Sequence, residues 1–236
     1  MSAMRTAGLL VLFFASACGG GTQEPKAPAA EPEPPKHVDR PTLSVQQELG
    51  SIDPADVQKT WNRLQGDFST CRKRGAERIE YLHGDAKFFV RVGPDGTAKW
   101  SYLEDSNIGD HETEKCLLDA IAQAKWPKPY GGDAEVRNSI GFDPDGRAPA
   151  SWPTDKIASV LGKNDKDLQK CKAGAKGTVH VTLYVQPNHK EGKVAAVGAA
   201  TPSKDGSTSI ECIVNEVKSW KMPSPGSWAA KVEFRI

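Results

Sequence analysis

Hydrophobic positions fall into two recurring rhythms along the chain. Val57, Trp61 and Phe68 stand at helical spacing and end near Cys71. Asp53-Pro54 in front of them is a helix start, because Asp caps the first amides and Pro fits the first turn. Ile157, Leu161 and Leu168 repeat the stripe before Cys171, with Ser151–Asp155 in the starting role. Gly75 and Gly174 are expected to mark the helix ends.

Strict alternation comes next. Ala86, Phe88, Val90 and Val92 predict one half-buried strand, and Val179, Val181, Leu183 and Val185 predict its counterpart. Each runs into a turn, Gly93-Pro94-Asp95-Gly96 in the first case and a longer Gln186–Gly192 in the second. A returning strand follows near Ala98–Leu103 and Val194–Ala199, completing two hairpins. Helical spacing then returns. Cys116, Leu117, Ile121 and Ala124 correspond to Cys212, Ile213, Val217 and Trp220. The exits also match, Ala124-Lys125-Trp126-Pro127 against Trp220-Lys221-Met222-Pro223. Ala134, Val136 and Ile140 match Ala230, Val232 and Ile236 as closing strands.

Agreement at two separate Cys positions and at the exit tetrapeptide predicts an internal repeat. The expected fold class is α+β: two tandem α-β-β-α-β modules over residues 51–145 and 151–236, each a three-stranded sheet with two helices on one face. Four of the five Cys then pair as Cys71–Cys116 and Cys171–Cys212. Of the three possible connectivities, only this one keeps each loop inside one module.

The fifth Cys fits the amino-terminal pattern. Arg5 precedes the apolar run Ala7–Ala17, which is too short for a membrane span, and small residues Ala15, Ser16 and Ala17 lead directly to Cys18. Residues 1–18 resemble a bacterial lipoprotein signal ending at a lipidated Cys18, with Ala15 where such signals usually have Leu. The alternative is an ordinary secretory signal cut after Ala17. Residues 19–50 form the expected linker, with Pro25, Pro28, Pro32, Pro34 and Pro35 favouring polyproline II.

The quoted repeat resembles the carboxy-terminal domain of the AgmX/PglI group, a TonB-like family of cell-envelope and gliding-motility proteins. The shared features are a Cys late in the first helix, an Asp95-Gly96 hairpin, a Cys opening the second helix and the Trp- and Pro-containing exit. Energy-transducing TonB proteins carry an uncleaved transmembrane anchor, and here a cleaved signal replaces it. The resemblance therefore implies a binding or scaffold module of the envelope without a route to the proton gradient.

Composition adds mainly exclusions. Net charge is +1, and Lys and Arg alternate with Asp and Glu, so nothing points to nucleic acid. His37, His83, His111, His180 and His189 lack metal-ligand spacing, and Asp143-Pro144-Asp145-Gly146 reads as a turn. No activated nucleophile and no cofactor motif is evident, so a non-enzymatic protein with no metal and no cofactor is expected. Trp61 is expected in the core, and Trp126 and Trp220 half-exposed near the helix exits. Two functions compete. One is capture of an envelope protein or peptide by strand addition, with the closing edge Ala230, Val232, Phe234 and Ile236 as candidate. The other is a structural spacer with no specific ligand.

Overall fold

The computed structural model describes residues 49–173 and 175–236. The expected signal, Cys18, most of the expected linker and Gly174 lie outside the described residues. Asp53 opens the first helix, its carboxylate accepting from the Ala55 amide at 2.8 Å with Pro54 behind it. This helix, α1 (Pro54–Arg78), buries Trp61, Leu64, Phe68, Cys71 and Gly75 along one face. Gly75 does not end it. A Cβ there would sit 2.2 Å from the Thr113 hydroxyl and 2.5 Å from Leu82, so the residue is small for close packing.

The strands β1 (Gly84–Val92) and β2 (Ala98–Ser106) form the first hairpin, followed by α2 (His111–Gln123) and β3 (Ala134–Phe142). Asp110 caps α2 through the Thr113 amide. The sheet order is β2-β1-β3, antiparallel throughout. Ala86, Phe88, Val90 and Val92 are fully buried and share one core with the buried face of α1 and with Leu117 and Ile121 of α2.

The second half departs from expectation at its entry. Ala150–Trp152 form a short strand, β4, and the Thr154–Ile157 stretch is a 3-10 turn before α3 (Ala158–Lys172). The helix therefore starts later than its cap-like residues suggest. Then come β5 (His180–Asn188), β6 (Glu191–Ala200), α4 (Ile210–Lys218), β7 (Lys221–Pro223) and β8 (Ala230–Arg235). The hairpin loop is only His189 and Lys190, tighter than expected, and His189 takes a positive φ of 55° to close it. The second sheet has five strands, β4-β8-β5-β6-β7, rather than three. Inside it, β6-β5-β8 has the order and antiparallel pairing of β2-β1-β3, with β4 and β7 added outside. Its core joins Val181, Leu183 and Val185 to Leu168, Ile213, Val217, Trp220 and Val232.

Both disulfides are present. Cys71–Cys116 ties α1 to α2 with Cα atoms 5.7 Å apart, and Cys171–Cys212 ties α3 to α4 at 5.4 Å. The helix-exit tryptophans are buried, contrary to expectation. Trp126 donates to the Ile121 carbonyl and meets Trp61 edge-on at 5.0 Å. Trp220 donates to Glu216 and stacks on Phe234.

Candidate functional site

The closing edge expected to take a partner strand is largely occupied. β4 pairs in parallel with β8 over Ala230–Val232, taking the backbone groups on that side. The side chains of Ala230, Val232 and Phe234 are buried, and Ile236 exchanges two 3.0 Å backbone bonds with Val179. The Glu233 carbonyl also accepts from Thr154. The cause lies in the Ala150–Trp152 segment, which reaches back along β8 before the chain turns into α3.

The vacant long edge belongs to β3. No strand pairs with its outer side among the described residues. Its nine residues are held by β1 in unbroken register from Ala134↔Val92 to Phe142↔Gly84. Glu135, Arg137 and Ser139 point to solvent. The opposite edge of the same sheet is partly closed, because the Thr201 amide donates to the Leu103 carbonyl.

Beside β3 lies the open face of the first sheet. Cross-strand neighbours put Tyr102, Phe89 and Arg137 in one row and Trp100, Arg91 and Glu135 in the next. Arg137 lies over the Phe89 ring at 4.6 Å and pairs with Glu104 and Glu135. Arg91 pairs with Glu135 and Asp133, and Lys99 also reaches Asp133. Those bonds hold the Asp133 carboxyl below its ordinary range, the Lys99 bond contributing most. Arg91, Lys99 and Arg137 thus each have a carboxylate, and Lys204 lies over the Trp100 ring at 4.4 Å, which makes the face polar and ordered.

The same face of the second sheet is covered by the first half. His180, Thr182 and Tyr184 of β5 stand beside Ala200, Gly198 and Ala196 of β6 and Arg235, Glu233 and Lys231 of β8. Tyr184 donates to the His83 carbonyl at 2.9 Å, and the Lys231 ammonium reaches the same oxygen. His180 Nδ1 meets Asp105 at 2.6 Å and Nε2 meets Glu233 at 3.3 Å. These carboxylates, Glu233 foremost, raise the imidazole pKa. With both ring nitrogens occupied, His180 acts as a clamp and has no free nitrogen to serve as a base. Burial pushes the Lys231 ammonium down to about 8.

Two openings adjoin these elements. A groove of about 720 Å³ runs over the first disulfide between α1 and α2, lined by mixed charges such as Arg74, Glu112 and Lys115. A cleft of about 460 Å³ lies where α2 meets β6 and α4. Among the described residues, no group of three His, Cys, Asp or Glu side chains is placed to hold a metal. No helix among them is long and apolar enough to cross a membrane.

Nothing matches the chain in comparisons with protein-family models, with curated proteins or with solved structures.

Proposed function

We propose that this protein is a non-enzymatic, lipid-anchored module of the bacterial cell envelope that captures an extended segment of an envelope protein by strand addition. The observation that carries the reading is the nine-residue edge of β3, unpaired on its outer side among the described residues, on a sheet braced by two helices and a disulfide. An incoming strand would satisfy the outward amides and carbonyls of β3, and Glu135 and Arg137 would read its side chains.

The finer architecture belongs to the same proposal: two tandem α-β-β-α-β modules, the second extended by β4 and β7. It rests on the shared strand order and on one disulfide joining the two helices of each half. Likeness to the AgmX/PglI domain is the proposed family relation, carried by the paired Cys, the Asp95-Gly96 hairpin and the helix exits. Anchoring through Cys18 is proposed from the signal pattern alone, and the two disulfides accord with an oxidising compartment.

Asn138→Pro and Ser139→Pro test the edge together. Neighbouring residues of an edge strand point their amides in opposite directions, so one of the two donates to β1 and the other faces outward. The inward substitution should destabilise the fold. The outward one should leave the fold intact and abolish partner capture in cross-linking of intact cells followed by pull-down through a carboxy-terminal tag. Undiminished capture by the well-folded variant would refute strand addition at β3. A wild-type chain that captures nothing would favour the spacer.

A further inference from the structure

Glu114 is the most deeply buried carboxyl in the contact between the halves, 1 % exposed. It projects from α2 of the first half onto β6 of the second. Its Oε1 lies 2.7 Å from the Ser106 hydroxyl, and its Oε2 accepts from the Ala199 amide at 3.1 Å. The fit is close: a Cβ on Gly198 would stand 2.5 Å from Oε1. A single carboxyl therefore links β2, α2 and β6 across the joint.

The charged groups around it do not neutralise it. At the cap of α2, Asp110 is paired with Arg78, and on the helix Lys115 pairs with Asp119. His111, one turn earlier, is held below its usual pKa by burial and faces Glu211 and Lys218 of α4. From β2, Asp105 is taken by His180. β6 presents only backbone and small side chains here. From β8, Lys231 feels the Glu114 charge, but its ammonium is bonded to the His83 carbonyl. Tyr184 of β5 is also bonded to that carbonyl. No cation lies within salt-bridge distance of Glu114 among the described residues.

We propose that the contact between the halves is a proton-sensitive latch, closed while the Glu114 carboxyl is protonated and loosened when it ionises. A protonated carboxyl can donate to Ser106 and accept from Ala199, satisfying both sides of the joint without a buried charge. An ionised one leaves a carboxylate in a dry contact with three neutral donors, the Ser106 hydroxyl and the Ala199 and Gly109 amides, and no bonded cation.

Burial pushes the Glu114 pKa from 4.5 to about 7, which places the transition near neutrality. The folded joint holds the proton more tightly than an open one, so closure is favoured at low pH and lost as pH rises from 4.5 through 7. His180, raised by its two carboxylates, acts in the same direction. Lys231 acts in the opposite one, but only above about 8. For Glu114 alone, linkage gives roughly a thirtyfold rise in the opening equilibrium between about pH 5.5 and about pH 8.5.

The test is hydrogen exchange of the full chain across that range, corrected for the intrinsic pH dependence of exchange. Protection of the Ala199 amide should fall more than tenfold, while Leu183 in the second core keeps its protection. Glu114→Gln, which copies the protonated carboxyl, should hold Ala199 protected at every pH. Flat wild-type protection at Ala199, or an equal fall in Glu114→Gln, would overturn the proposal. If the variant does not fold, carbon-detected titration of the wild-type Glu114 carboxyl decides. A midpoint near 7 sustains the latch and one below 5.5 removes it.

Discussion

The outer faces of the two sheets come from equivalent strands and have opposite fates. In the first half, Lys87, Phe89 and Arg91 line a face left open and laced with ion pairs. In the second, His180, Thr182 and Tyr184 occupy the matching positions and are buried against the first half. Strand order does not distinguish them. The difference lies in what each face offers a neighbour. Ala196, Gly198 and Ala200 make a shallow surface into which Glu114 can press, whereas Trp100 and Tyr102 stand in the corresponding place on the first sheet. A repeated framework can thus carry one face for solvent and one for an internal joint.

The sharpest way to break the comparison is to cut one covalent link at a time. In the chain-entropy model, closing loops of this length is worth about 4 kcal/mol each. Removing Cys71–Cys116 or Cys171–Cys212 by double Ala substitution should therefore lower the unfolding free energy by similar amounts in urea titration. Markedly unequal losses would show that one half depends on the other for its fold.

Next in size is a matched pair of truncations. Tyr184→Ala empties a fully buried site and should cost about 3 kcal/mol or more. Arg91→Ala at the equivalent position removes ion pairs on a solvent-facing sheet and should cost about 1 kcal/mol. Equal costs in chemical denaturation would mean that the two faces are not energetically distinct.

A smaller effect tests the charge buried in the joint. Lys231 titrates at about 8 in the fold against an ordinary 10.5, so the fold disfavours its protonated form. Stability should rise as pH climbs from about 8 toward 10.5, and Lys231→Met should remove that rise. Thermal unfolding across that range checks the slope. Smallest of all, Lys170→Ala breaks only an exposed pair with Asp167 on α3 and should leave the unfolding midpoint unchanged in the same denaturation curves.

Local periodicity made much of this fold legible. The strand cores at Phe88, Val90, Val181 and Leu183 follow from spacing, because each depends on residues near in sequence, and both Cys pairs follow from the internal repeat, which leaves one connectivity inside each half. What escaped depends on contacts far along the chain. Ala150–Trp152 pair with a strand some eighty residues later, while Pro153–Asp155 beside them carry helix-start chemistry. Gly75 looks like a helix terminator, and only its contact with Thr113 explains it otherwise. The joint left a faint signal: no carboxylate or ammonium interrupts Val181–Val185, and the strand opposite runs through Ala195, Ala196, Gly198, Ala199 and Ala200. Glu114 gave none, since an acidic residue in the first turn of a helix is ordinary.

The two disulfides also set a limit on how the protein can be stretched. Each bypasses a long internal loop, Cys71 to Cys116 with a separation of 45 and Cys171 to Cys212 with a separation of 41. Pulled between Leu49 and Ile236, the oxidised chain would keep both loops out of the load path and end roughly 280 Å short of its reduced length. Even with both sheets torn open, the protein would serve as a short leash and not a long one, with its reach under tension set by the redox state of four sulfur atoms.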